Sequence, residues 1–249
     1  MKTHARPAAL ALPALLAILA PMTAADASIV LANGESVNLA ALLAPTSDRQ
    51  FVIGDKRFTM ESFGSDVFDP ASFSVIAFVS QNPNQYGLYN IGFDLVGPFG
   101  DGSPGTEGLH EMNLQYTVEV LPEYYAQGVR LCDVGLTFNG SAGGTGSFSR
   151  VDETVFDLDA NQFLGQLSAY DFAGPPRVTD LNEHVDFCDV FGGPGYRAFE
   201  VNKDLKFFAA TASGFATASF VRQEFSQVPA PGSIALLFAA GMLGGRRRR

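Results

Sequence analysis

Apolar and polar positions alternate with a period of two through much of this chain. From Glu111 to Leu121, Met112, Leu114, Tyr116, Val118 and Val120 share one parity. Glu111, Asn113, Gln115, Thr117 and Glu119 share the other. Successive side chains of an extended chain point to opposite faces, so this segment predicts a strand with one buried face and one wet face. Leu136 and Phe138 continue the alternation after Val134, and Gly87 to Val96 carries Leu88, Ile91, Phe93 and Leu95. Phe73 to Val79 is a mostly apolar run of strand length. Phe51–Ile53 and Phe58–Met60 flank Gly54-Asp55-Lys56-Arg57, a hairpin turn by composition. Ala198–Val201, Asp204–Ala209 and Phe215–Phe225 complete the predicted strands.

Gly and Pro punctuate these runs at residues 97–105, Asn139 to Gly146 and residues 192–195, all predicted loops. Helical signals are confined to Val37–Leu43 and Asp159–Tyr170. No Ser, Pro or acidic repeat splits the middle of the chain. The pattern predicts an all-β domain: a single antiparallel β-sandwich, jelly-roll-like, with few short helices and roughly 9–12 strands.

The ends read differently. Lys2, His4 and Arg6 precede an Ala/Leu-rich run, Ala8 to Ala20, and then Ala25-Asp26-Ala27. This is the layout of a secretory signal peptide over residues 1–27, cut after Ala27 or, as the near alternative, after Ala25. The run is too short for a stable membrane span. At the other end, Val228-Pro229-Ala230-Pro231 is followed by the apolar stretch Ile234–Leu243 and by Arg246, Arg247, Arg248 and Arg249. A short apolar segment with four terminal arginines suits a transient membrane anchor oriented by its positive end.

Splitting the chain changes its charge. The whole sequence is 47% hydrophobic and 17% charged, with a formal net charge of -10, which excludes a wholly disordered acidic chain. Residues 28–227 keep 25 of the 26 acidic residues and 10 of the 16 Lys and Arg, a balance of -15. Such a surface is unsuited to nucleic acid, which needs cations against its phosphates.

The tail, residues 228–249, resembles the PEP-CTERM sorting signal of Gram-negative bacteria: a Pro-x-Pro motif, an apolar helix and an Arg cluster. Here Ala230 stands where an acidic residue is usual. The resemblance implies an exosortase and a signal peptidase as partners during export. It also implies transient inner-membrane anchoring and a final location at the cell surface or in the extracellular exopolysaccharide matrix. The domain is similar to a recurring kind of PEP-CTERM protein in three segments: Val52-Ile53-Gly54-Asp55-Lys56-Arg57-Phe58, Val201-Asn202-Lys203-Asp204-Leu205 and Gln223-Glu224-Phe225-Ser226-Gln227-Val228. The resemblance implies an extracellular β-domain at residues 28–227 and carries over no catalytic residues.

Few residues offer chemistry. The two cysteines, Cys132 and Cys188, are predicted to pair, as is usual in an exported chain, from strand-like contexts. His110 and His184 lack zinc-ligand spacing. Neither a Gly-x-Ser-x-Gly elbow nor a phosphate loop occurs. No cofactor is called for, apart from calcium as a candidate. Asp157, Asp159 and Asn161 have the spacing that opens a calcium loop, within a third of the chain crowded with carboxylates. Gln162 and Ser168 then occupy the places of the required Gly and Glu, and a solvated acidic face explains the crowding equally well.

The leading expectation is therefore a non-enzymatic exported protein with a structural or adhesive role. The alternatives are a calcium-dependent carbohydrate-binding module and, further off, a hydrolase using carboxylates. Tyr116, Tyr124, Tyr125 and Tyr170 are the candidate stacking platforms for glycan, while most of the 22 Phe are expected in the core.

Overall fold

The computed structural model describes residues 28–229, apart from residues 66, 85, 86, 102–107 and 192. The predicted leader and the sorting tail from Ala230 onward lie outside the described residues. Two sheets pack face to face as a β-sandwich. The first sheet has eight strands. In spatial order they are β1 (Ile29–Val30), β3 (Gln50–Ile53), β4 (Lys56–Gly64), β7 (His110–Val120), β14 (Ala198–Phe208), β10 (Ser147–Asp157), β11 (Gln162–Ala173) and β12 (Val178–Asp180). The second runs β13 (Asn182–Asp186), β8 (Val129–Phe138), β15 (Phe215–Pro229), β6 (Ile91–Asp101), β5 (Ser74–Val79) and β2 (Ser36–Asn38), with β9 (Ser141–Gly143) also paired to β15. All pairs are antiparallel except β1 with β3 at one edge.

The alternation in β7 is realised: Met112, Leu114, Tyr116, Val118 and Val120 are all buried. They meet residues of the second sheet across the interior. Phe93 of β6 sits edge-on to Tyr116 at 5.2 Å and to Phe58 at 5.5 Å between ring centroids. Phe58 stacks on Phe51 at 5.0 Å and reaches Phe225 of β15 at 5.9 Å. Burying each such ring contributes about 1.5–3 kcal/mol, so this cluster is a main source of cohesion between the sheets. A short helix, α1 (Leu39–Leu43), is capped by the Asn38 side chain, which accepts from the Ala40 amide at 2.9 Å, and buries Leu39 and Leu42 in the same core.

Several expectations change. Fifteen strands occur among the described residues, because five pieces of two to five residues pair at sheet margins or beside β15. The predicted helix at Asp159–Tyr170 is the strand β11. Leu164 and Leu167 are three apart because the register with β10 shifts between Val155 and Phe156; the extra residue of this bulge imitates helical spacing. The predicted loop at residues 97–105 starts as strand. Phe99 is buried against Phe73 and Phe207, and Asp101 is buried with its carboxylate accepting from the Ala209 amide at 2.8 Å, which holds β6 in register to Asp101. The two halves predicted around residues 198–209 are one strand, β14, whose interior polar residue Lys203 is buried rather than a break. Val228 and Pro229, read as the start of a sorting motif, extend β15, pairing with Arg130 and Val129.

Cys132 and Cys188 form a disulfide with Cα atoms 5.2 Å apart. Cys132 lies in β8 as expected. Cys188 lies in a short helix, α3 (Phe187–Phe191), where Phe187 plugs the core against Phe199 and brings the cysteine to β8. Replacing both cysteines by Ala releases a loop of 56 positions. The expected loss in urea denaturation is up to about 4 kcal/mol, with the native β-signal retained.

Candidate functional site

The outward parity of the first sheet assembles a continuous surface on β7, β14, β10 and β11. Register places side chains in rows across the strands. At one end Phe208, Phe148, Phe172 and Val178 stand side by side. The Phe148 and Phe172 rings are 6.5 Å apart and inclined by only 17°, and Phe208 lies 5.7 Å from Phe148. Phe172 is 41% exposed and Val178 45%. The next row is Lys206, Arg150, Tyr170 and Asp180. Together Phe148, Arg150, Tyr170, Phe172 and Val178 line a shallow cleft of about 450 Å³.

Beyond it the face turns polar. Asn113, Asp204, Asp152 and Ser168 form one row, and Ser62, Gln115, Asn202, Thr154 and Gln166 the next. These two rows line a second cleft of about 350 Å³. Thr154 lies six positions beyond Phe148 on β10, so the aromatic row and the amide row are about 20 Å apart.

The polar groups are held in place. Asp152 and Asp204 are cross-strand neighbours, and like charges there repel. Each is balanced: the Arg150 guanidinium donates to Asp152 at 2.8 Å, Ser168 donates to the same oxygen at 2.8 Å, and Lys206 pairs with Asp204. The hydrogen bond to Asp204 raises the Lys206 ammonium above its ordinary range, so it stays charged. Gln115 donates to Glu200 at 2.8 Å, and Asn202 donates to the same oxygen at 3.1 Å. What results is a fixed array of amides, hydroxyls and paired charges beside a flat apolar platform. Such an array can stack on the apolar face of a ring and exchange hydrogen bonds with its hydroxyls.

The wall of the first cleft depends on a buried carboxylate. Asp171 points inward from β11, is fully buried, and accepts from Arg177, from the Thr179 hydroxyl at 2.7 Å and from the Ala142 amide at 2.8 Å. Burial pushes its carboxyl up, but the hydrogen bonds from Arg177, Thr179 and Ala142 outweigh it and the group lies below the usual range. These bonds pin β12, and with it Val178, to the face.

The predicted site residues are distributed as follows. Tyr170 lies on the platform. Tyr116 is buried in the core and offers nothing to a ligand. Tyr124 is exposed on the short helix α2 (Pro122–Ala126), and the Tyr125 ring is covered by Arg130 at 3.5 Å; neither is near the clefts' linings. Asp157, Asp159 and Asn161 form the turn between β10 and β11. Asp157 accepts from the Asp159 amide at 2.9 Å, and Asn161 takes a left-handed φ of 50°. Arg197 binds the Asp159 carboxylate at 2.9 Å, holding it below the usual range, and binds Glu119 at 2.9 Å. Among the described residues, the acidic and cysteine side chains that do converge are Cys132, Asp186 and Cys188, where the disulfide removes both thiolates. The acidic third is also not simply a solvated face, since Glu153 and Asp171 are fully buried. The outward phenylalanines escaped the sequence reading, which assigned Phe to the core. Their signal is parity: Phe148 shares it with Arg150, Asp152 and Thr154, opposite to the buried Val151 and Val155.

Comparison with known proteins assigns no family. No family model matches the chain, and no curated protein matches it. Among solved structures, it is similar to TmCBM27, a carbohydrate-binding module described for specific mannan recognition. The identity is 9%, over 76% of this chain and 95% of that one, with a TM-score of 0.27. It is also similar to a family 11 carbohydrate-binding module from Clostridium thermocellum in complex with a β-1,3-1,4-mixed-linked tetrasaccharide. There the identity is 9%, over 66% of this chain and 94% of that one, with a TM-score of 0.20. Neither likeness is close enough to assign a ligand.

The Asp171 network can be tested directly. Asp171→Ala leaves the Ala142 amide unsatisfied and frees β12, at an expected cost of about 1–3 kcal/mol in urea denaturation at neutral pH. A carboxyl held below its unfolded value stabilises above that value and ceases to do so as pH falls through the folded one. The difference between Asp171→Ala and the native chain should therefore be full at neutral pH and shrink in acid.

Proposed function

We propose that this chain is an exported, non-catalytic protein whose first-sheet outer face binds polysaccharide at the cell surface or in the extracellular matrix. The observation that carries the reading is the row Phe208–Phe148–Phe172, set beside Tyr170 and followed along the same face by amides, hydroxyls and paired carboxylates. Sugars present both an apolar ring face and a hydroxyl edge, and a surface that is apolar at one end and rich in fixed donors and acceptors at the other matches them. The absence of Trp leaves the stacking to Phe and Tyr. Asp152 and Asp204 each carry a cationic partner, which suits hydrogen bonding better than proton transfer. The leader-like N-terminus and the sorting-type tail support delivery outside the cytoplasm by signal peptidase and exosortase. Calcium is not needed by this reading, because the contacts come from the sheet face and not from the turn at Asp157–Asn161.

Affinity electrophoresis of the protein in a panel of soluble polysaccharides, including the matrix polysaccharide of its own cells, tests the reading. Retardation is expected with at least one polysaccharide, and EDTA should leave it unchanged. Phe172→Ala and Tyr170→Ala, at half-exposed positions, should preserve the melting temperature within a few degrees and weaken binding by roughly tenfold or more. Binding that survives both substitutions would place the ligand elsewhere.

A further inference from the structure

Between the sheets lie two buried clusters that the glycan face does not use. In the first, Lys203 of β14 stands directly opposite Glu153 of β10, and its Nζ donates to Glu153 Oε2. The same Nζ lies 2.8 Å from Oε1 of Gln223, which comes from β15 in the other sheet. Gln223 Nε2 donates to the Gly135 carbonyl at 3.2 Å, fixing the amide's orientation. Lys203, Glu153 and Gln223 are all at most 2% exposed. Among the described residues, Glu153 Oε1 has no hydrogen-bond partner, and neither has the buried Tyr116 hydroxyl. The second cluster repeats the pattern. Lys56 of β4 has its Nζ 3.0 Å from Asp55 Oδ1 and 2.6 Å from Oε1 of Gln227 in β15, whose Nε2 donates to the Tyr89 carbonyl at 3.3 Å. Lys56 is wholly buried and Gln227 nearly so.

Each cluster thus combines an amine, a carboxamide and a carboxyl in the buried interior. We propose that the folded protein cross-links itself at both places, joining Lys203 to Gln223 and Lys56 to Gln227 by isopeptide bonds formed with release of ammonia. In the first, the Nζ lone pair attacks Gln223 Cδ and an Nζ–Cδ bond forms. Glu153 first takes one proton from the ammonium, which frees that lone pair; a second proton then passes from Nζ to Nε2, the Cδ–Nε2 bond breaks, and ammonia leaves. Glu153 is left as the neutral carboxylic acid, and no oxidant or cofactor is consumed. Asp55 has the same role at Lys56.

Three physical features favour the step. The reacting groups are already in hydrogen-bond contact across a rigid interface, which converts a slow bimolecular aminolysis into an intramolecular one. At the second site burial lowers the Lys56 ammonium toward the neutral, nucleophilic amine, and at the first it raises the Glu153 carboxyl, which favours its taking up the ammonium proton. The product also replaces a costly buried charge pair by a neutral amide. Both bonds fasten β15, the strand that leads into the tail, to the opposite sheet.

The test is peptide mapping by tandem mass spectrometry of the full chain, purified folded. The expected result is a branched peptide joining the segment with Lys203 to that with Gln223, and another joining Lys56 to Gln227. Each should be lighter than its two parts by one ammonia. Glu153→Gln should abolish the first link. Gln223→Leu should remove it as well while the Lys56–Gln227 link persists, reporting that the sandwich still forms. Recovery of both lysines and both glutamines only in unlinked peptides from the native chain overturns the proposal, and one missing link overturns it for that pair. Glycan binding is read separately, so failure here leaves the outer face untouched.

Discussion

A two-sheet sandwich gives every central strand one dry face and one wet face, and any polar group on the dry side must find its partner there. That constraint governs this molecule more than any single contact. Most inward positions are apolar, and the rings of Phe51, Phe58, Phe93 and Phe225 meet across the gap. Lys203, Glu153, Gln223, Lys56 and Gln227 are inward as well, and each hydrogen-bonds to another member of its cluster. Removing one member of a buried charged pair ordinarily costs about 3–5 kcal/mol, because its partner is left uncompensated. The polar clusters therefore tie β14 and β4 of one sheet to β15 of the other at two fixed points.

The same alternation builds the outer face. On β10, Glu153 enters the core while its neighbours Asp152 and Thr154 face outward. The register that brings Glu153 to Lys203 also sets Asp152 beside Asp204 and Phe148 beside Phe208. Interior pairing and exterior rows are one geometric fact seen from two sides. Asp171 extends this to the margin, where an inward carboxylate fixes the edge strand that walls the aromatic cleft. The proposed ligand surface is thus carried on paired strands rather than on loops, with its side chains already oriented.

Much of this was legible in the residues. The period of two located β7 almost to the residue, whereas the turn read over Gly54-Asp55-Lys56-Arg57 is only Gly54-Asp55, with Lys56 and Arg57 already paired in β4 and Gly54 in the left-handed region at φ 58°. The helix read at Asp159–Tyr170 failed because a β-bulge and a helical turn both space apolar residues by three. Cys188 reached its partner from a helix because Phe187, not the cysteine, sets the position of that segment. The buried lysines carry a signal that parity exposes: Lys203 falls between Val201 and Leu205, and Lys56 precedes Phe58 and Met60 on the inward set. Gln223 and Gln227 flank the inward Phe225 in the same way. What the sequence could not provide was the pairing of sheets, and so it could not say which glutamine meets which lysine.

The central claim is that the outer face of the eight-stranded sheet is the ligand surface. Its most direct measurement is a nuclear magnetic resonance titration of the protein with a polysaccharide fragment it retains, following the side-chain amides. The account predicts that signals of Asn113, Gln115, Gln166 and Asn202 shift together, along with the rings of Tyr170 and Phe172. Shifts confined to the second sheet or to the turns, with those amides unmoved, would contradict it.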